Sequence, residues 1–209
     1  MPVSRRLELV NYSAAHGSLV IEDDFENEFV YLQKPTPSLF GLAGGQNVVY
    51  LGTFSRLLLP SIRISFMVLP PELSALYRKK ADQYNQTASK TEQIALCQFI
   101  RDGHLAAQTR KLKRLYSVKL KALRSAVREV FGKDSQIQTG AAGTSLALTL
   151  STTLTWQELQ KKAQTNGLRL QLLREAPGKI TLILSCSSMP VADFVPACKL
   201  LKNISQIQN

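Results

Sequence analysis

Residues 48–70, VVYLGTFSRLLLPSIRISFMVLP, decide the reading of the fold. The run QNVVYLGTFS (46–55) is apolar and then turns polar at Thr53 and Ser55, the pattern of a sheet strand with polar side chains at its carboxyl end. SIRISFMVLP (61–70) alternates more, and Pro70 and Pro71 stop it because proline cannot extend a ladder. Upstream, SLVIEDDF (18–25) is another short apolar run ending in acids, which reads as a buried parallel strand. A helix precedes it in MPVSRRLELVNYSAAHG, opened by Ser4 and closed at Gly17. Helix followed by strand predicts an α/β layer. Ligands of open α/β sheets gather beyond the carboxyl ends of the strands, and Asp23 and Ser55 both fall there.

From Glu72 to Phe131 the period changes to helical. PELSALYRKKADQYN starts after a proline, SKTEQIALCQFIRDG opens on a Ser89–Glu92 capping box and stops at Gly103, and a long basic helix runs to Gly132. Beyond it, SQIQTG, TSLALTLS, LRLQLL and KITLILSCS read as strands, Thr155 and Glu158 box the start of WQELQKKAQTNG, and Pro190 opens a last helix. The chain therefore reads as a partial α/β layer over residues 1–115 and a smaller α+β domain over 116–209, with the boundary in the basic helix. Three strands are few for a doubly wound sheet, so a partner is expected to complete it, or the chain is part of a larger domain.

Composition narrows the class. The chain has 209 residues, of which 44% are apolar and 20% charged, as in ordinary globular proteins rather than disordered ones. It holds no apolar run of about 18 residues and no signal-peptide core, so a soluble cytoplasmic protein is expected. Cys97, Cys186 and Cys198 are widely separated in apolar-periodic segments, which predicts buried thiols, and neither they nor His16 and His104 have metal-ligand spacing. The net charge is +11, with much of the excess in RKLKRLYSVKLKALRSAVR (110–128). Leu112, Leu115, Leu120, Leu123 and Val127 follow helical spacing there, so a solvated face is the commoner explanation. Nucleic-acid binding is the alternative; Tyr116 alone is too little aromatic surface for stacking bases.

Three stretches together carry a family resemblance: MPVSRRLELVNYSAAHGSLVIEDDFENEF, VVYLGTFSRLLLPSIRISFMVLPPEL and FIRDGHLAAQTRKLKRLYSVKLKALRSAV. They resemble successive segments of the aminotransferase-like domain of MocR-type regulators in the GntR superfamily. Such regulators join a winged-helix DNA-binding domain to a fold-type-I domain that uses pyridoxal phosphate (PLP). The resemblance covers the C-terminal portion of that domain only, and implies a partial large domain with an incomplete, mainly parallel sheet followed by the small α+β domain. The glycine-rich phosphate cup, the aromatic residue that stacks on the ring and the winged helix would all precede Met1.

The resemblance also implies roles. Asp23 matches the aspartate that faces the pyridine nitrogen and keeps it protonated. Phe25 stands where the family has a tyrosine, and offers no hydroxyl to the cofactor's phenolic oxygen. Arg56 stands in the family's GTFSK segment at the Schiff-base lysine, and a guanidinium that stays protonated is a very poor nucleophile. Ser55 and Arg63 match the phosphate-binding hydroxyl and arginine, with Thr53 beside them. Lys79, Lys80 and Lys90 have no motif that supports them as substitutes, and no small-domain arginine aligns with the one that holds a substrate carboxylate.

The expected function is thus a degenerate, non-catalytic aminotransferase-like module with an amino-acid-like effector. Its expected partner is a second copy or a chain supplying the absent half of the large domain. DNA contact is not expected without the winged helix, and no membrane is expected. A functioning PLP-binding aminotransferase or an effector-sensing regulatory domain, and a basic nucleic-acid-binding protein, are the alternatives.

Overall fold

The computed structural model describes residues 1–24, 36–55, 57–59, 61–85, 87–132, 135–139 and 143–205. The chain folds into two compact units, and the division falls between Leu112 and Lys113, inside one long helix.

In the first unit, helix α1 (Val3–Ala15) leads into strand β1 (Val20–Asp23) through Gly17, whose φ of 58° suits a residue without a Cβ. Pro2, not Ser4, occupies the position before the helix, and no side chain caps it. A short helix α2 (Leu39–Leu42) precedes β2 (Val48–Thr53) and β3 (Ser65–Val68). The sheet order is β1-β2-β3, with β1 parallel and β3 antiparallel to β2. Val48, Val49, Leu39, Leu57 and Ile64 are buried.

Register sorts the side chains by face. Val20, Glu22, Val48, Tyr50, Gly52, Phe66 and Val68 share one face, and Ile21, Asp23, Val49, Leu51, Thr53, Ser65 and Met67 the other. On the first face Glu22, only 8% exposed, is the organising residue. Its carboxylate pairs with the Arg6 guanidinium of α1 at 2.9 Å and accepts the Leu39 and Phe40 backbone N–H groups at 2.8 and 3.0 Å. The first turn of α2 and the flank of α1 are thereby tied to β1. The second face is less covered: Ile21 is 66% and Met67 50% exposed. This differs from the buried strand expected for residues 18–25, because no described element covers that face over Ile21. Strand β3 is exposed at all four positions.

Three helices follow, α3 (Pro71–Lys80), α4 (Lys90–Arg101) and α5 (His104–Phe131). The Ser89 hydroxyl accepts the Glu92 N–H at 3.4 Å and caps α4, which is one half of the box expected from sequence; among the described residues the return bond from the Ser89 N–H to the Glu92 carboxylate does not form. Neither α3 nor α4 contains a buried residue. Cys97 on α4 is accordingly exposed, which corrects the expectation of three buried thiols.

The second unit holds strands β4 (Gln136–Thr139), β5 (Ser145–Ser151), β6 (Gln171–Ala176) and β7 (Lys179–Ser185) in an antiparallel sheet of order β4-β5-β7-β6. Helices α6 (Trp156–Thr165) and α7 (Phe194–Ile204) complete it with the C-terminal part of α5. Leu146, Leu148 and Leu150 of β5 alternate inward and meet Ile180 and Leu182 of β7, Leu120, Leu123 and Val127 of α5, Leu159 of α6, and Phe194 and Leu201 of α7 in one core. Residues 168–173 read as a strand in sequence, but β6 begins at Gln171. The Leu168 N–H returns to the Ala163 carbonyl at 2.8 Å after Gly167 at φ 75°, so the helix C-cap consumes the group a ladder would need.

Candidate functional site

Beyond the carboxyl ends of β1 and β2, Asp23, Thr53, Ser55, Arg63 and Ser65 line one concavity of about 490 Å³ together with Leu51, Gly52, Phe66 and Met67. Four residues singled out in sequence are therefore brought together: Asp23 ends β1, Thr53 ends β2, and Ser55 and Arg63 lie on the segment that returns from β2 to β3. Arg56 and Phe25 lie outside the described residues. Lys79 and Lys80 end α3 and Lys90 begins α4, and none of the three lines the concavity.

The returning segment is held by its own hydroxyls. Ser55 Oγ donates to the Ile62 carbonyl at 2.8 Å, Thr53 Oγ1 accepts the Ser55 N–H at 3.2 Å, and the Phe54 N–H donates to the Ile64 carbonyl at 3.1 Å. Thr53 Oγ1 also reaches the Ile64 carbonyl at 3.5 Å. The loop that carries Arg63 is thus tied back to the strand end by its own backbone and hydroxyl groups. Asp23 and Arg63 are both exposed, and among the described residues neither makes an ion pair or a hydrogen bond. Among the described residues Asp23 caps no helix and Arg63 makes no salt bridge.

Behind the site the other face of β2 and β3 carries a row of rings. Phe40 and Tyr50 are 6.3 Å apart, Tyr50 and Phe66 6.2 Å, and Phe66 and Phe54 5.2 Å, centroid to centroid. Gly52 makes the row possible: a Cβ there would sit 2.4 Å from the Phe66 ring. The Tyr50 hydroxyl donates to Asp24 at 2.7 Å, so the second acid of the IEDD run faces away from its neighbour and serves the ring side. Sequence reasoning missed Glu22 and Tyr50. The signal for Glu22 is parity: if Asp23 points to the ligand side, Glu22 must point under the helices and needs a cation, which Arg6 of the amphipathic α1 supplies.

An exposed carboxylate suits the protonated pyridine nitrogen of PLP and an exposed guanidinium suits its phosphate, whereas the Thr53 and Ser55 hydroxyls donate to the Ile64 and Ile62 carbonyls and hold the loop. None of these groups is an amine that could bond the aldehyde. Among the described residues no cluster of histidine, cysteine and acidic side chains suits a metal.

The fold is that of the aminotransferases. The chain superposes on LysN, the α-aminoadipate aminotransferase of Thermus thermophilus solved with N-(5'-phosphopyridoxyl)-L-leucine, with a TM-score of 0.77 and 24% identity over 98% of this chain and 54% of that one. In sequence it is 32% identical over 206 residues to the uncharacterized HTH-type transcriptional regulator YdeL of Bacillus subtilis, covering 97% of this chain and 44% of the regulator. It is 30% identical over 173 residues to the probable rhizopine catabolism regulatory protein MocR of Rhizobium meliloti, covering 83% of this chain and 35% of that protein. The chain belongs with the aminotransferase-like domain of MocR-type regulators. It spans under half the length of these regulators and about half that of the aminotransferase. No family model matches it.

Proposed function

We propose that this chain is an aminotransferase-like module without aminotransferase catalysis, which holds PLP or a related phosphate-bearing effector noncovalently. One observation carries the reading: Asp23, Thr53, Ser55 and Arg63 line a single concavity, while position 56, where the family resemblance puts the reactive lysine, is arginine. PLP, when held, supplies an electron sink through its protonated ring. Asp23 would face that ring nitrogen, and Arg63 would hold the phosphate. Thr53 and Ser55 shape the loop that presents Arg63, because their hydroxyls already engage backbone groups of the segment around it. A protonated guanidinium at position 56 neither condenses with an aldehyde nor moves a proton at a substrate carbon. The open setting of Asp23 and Arg63 supports the further reading that a second chain closes the site.

A visible-absorption titration of the purified chain with PLP, followed by borohydride reduction and mass spectrometry, tests this. A saturable spectral change with no reduced adduct, weakened at least tenfold in Arg63→Gln, is expected. A reduced adduct on one lysine of the unaltered chain would instead revive the reading as a working PLP enzyme. No saturable change at all would remove the cofactor from the proposal.

A further inference from the structure

The C-terminal part of α5 carries a charge pattern that neither the fold nor the cofactor site uses. Across its whole length α5 holds eight basic side chains and one acid, Glu129. Arg114, Lys121, Arg124 and Arg128 are all exposed, and at about 100° per residue they fall within an arc of about 80° along about 21 Å of helix. The buried residues Leu120, Leu123, Ala126 and Val127 lie outside that arc, as does Glu129. Among the described residues none of the four cations makes an ion pair. By contrast Lys119, on another side of the helix, is spent within the unit, donating to the Ser187 carbonyl at 2.9 Å.

A face that only keeps a helix soluble interleaves signs, because opposite charges three or four residues apart favour the helix and like charges disfavour it. Here Lys121 and Arg124, and Arg124 and Arg128, are like pairs at those spacings. A linear anion would turn that mutual repulsion into binding. We infer that this stripe is a docking surface for the phosphate backbone of duplex nucleic acid, read without regard to base sequence. Four cations in line match a row of phosphates, whose release of condensed counterions drives such binding. Leu120, Leu123, Ala126 and Val127, the apolar face that a membrane-lying helix would bury in lipid, are spent instead in the core of the unit. Absence of a reading motif agrees with backbone contact alone, since phosphate contacts position a protein without specifying sequence.

The test is the anisotropy of a fluorescent mixed-sequence duplex titrated with the full chain across a salt series. Three variants are compared with the unaltered protein: Arg114→Gln/Lys121→Gln/Arg124→Gln/Arg128→Gln on the stripe, Arg78→Gln/Lys79→Gln/Lys80→Gln/Lys90→Gln elsewhere, and Arg114→Lys/Arg124→Lys/Arg128→Lys, which keeps the charge. Neutralising the stripe is expected to weaken binding at least tenfold and to flatten the slope of log K against log salt by about 3 to 4, at about 0.9 per phosphate contact. The charge-keeping variant should bind as the unaltered chain does, which separates loss of charge from loss of fold. Equal losses in both neutralised variants would reduce the effect to net charge and overturn the assignment. Stripe-dependent binding to phosphatidylserine vesicles as tight as that to the duplex would overturn the choice of partner.

Discussion

Gly52 shows how one missing side chain sets the two faces of the sheet. An alanine would normally be the better strand residue, since glycine loses more backbone freedom on folding. The added Cβ would lie 2.4 Å from the Phe66 ring, which would have to swing away from Tyr50 and Phe54. Gly52→Ala is therefore expected to destabilise by about 1 kcal/mol, the low end of overpacking costs because Phe66 is partly exposed and can move. In a Phe66→Ala background the same change should be neutral or favourable, so urea unfolding of the double-mutant cycle would show strong coupling. Additive effects would mean that the ring does not set the cost. The thiols give a second test. Burial, reinforced by the Glu129 charge, pushes Cys198 up to about 11, and burial also raises Cys186, against the opposing charge of Lys119. A thiol that holds its proton more tightly when folded contributes stability that is complete below its ordinary value of 9.0 and is lost as pH rises through about 11. Cys198→Ala should accordingly lose less stability than the unaltered chain between pH 8.5 and 11. At pH 8 a thiol-reactive chromogen should modify Cys97 at once and the other two only on unfolding.

At the scale of elements, boundaries were legible where a local chemical signal marks them. Ser89 and Thr155 start α4 and α6, Gly103 and Gly132 follow the ends of α4 and α5, and Pro71 opens α3. These signals act within one turn of chain, and so survive any tertiary arrangement. The Thr155 cap is reciprocal: its hydroxyl accepts the Glu158 N–H while the Glu158 carboxylate accepts the Thr155 N–H at 2.8 Å. Those bonds to Thr155 hold the Glu158 carboxyl below its usual range, so the cap is intact above the ordinary carboxylate value and weakens as pH falls. Thr155→Ala should cost about 1 kcal/mol, read from thermal unfolding at neutral pH. What could not be read was which apolar runs are covered. SFMVL is as apolar as VVYL, yet β2 is flanked by a strand on each side and contains buried valines, while β3 is exposed throughout. Cys97 and Ile94 follow the helical period and still face solvent, because coverage depends on a neighbour that the periodicity does not contain. The site followed the same rule. Asp23, Thr53, Ser55 and Arg63, which line one concavity, stand out in sequence because they end strands or match a motif. Glu22 was missed because its role depends on Arg6, 16 residues away.

For the whole molecule, burial is unequally divided. Among the described residues, fourteen buried ones form one continuous core in the second unit, running from Leu120 to Leu201. The first unit's described buried apolar residues are Leu39, Val48, Val49, Leu57 and Ile64, and it keeps Ile21, Met67, Leu76 and Ile94 largely in water. Apolar burial drives folding at about 25 cal/mol per Å² and must offset an ordering cost of order 1 kcal/mol per residue. The first unit therefore has the smaller margin, even with the Glu22 network holding α1, α2 and β1 together. Urea should unfold the chain in two steps. Far-UV circular dichroism should fall first as the first unit melts, with binding of a dye for exposed apolar surface, and fall again at higher urea. Trp156, the only tryptophan, packs against the core of the second unit, so its fluorescence should change only in the second step. Glu22→Ala should destabilise the first unit by about 3 kcal/mol and so move the first step to lower urea, because it leaves the part-buried Arg6 guanidinium without its carboxylate and two N–H groups of α2 unsatisfied, and should leave the second step in place. A single transition, coincident in both probes and shifted as a whole by Glu22→Ala, would mean that the helix shared by the two units couples them into one cooperative body.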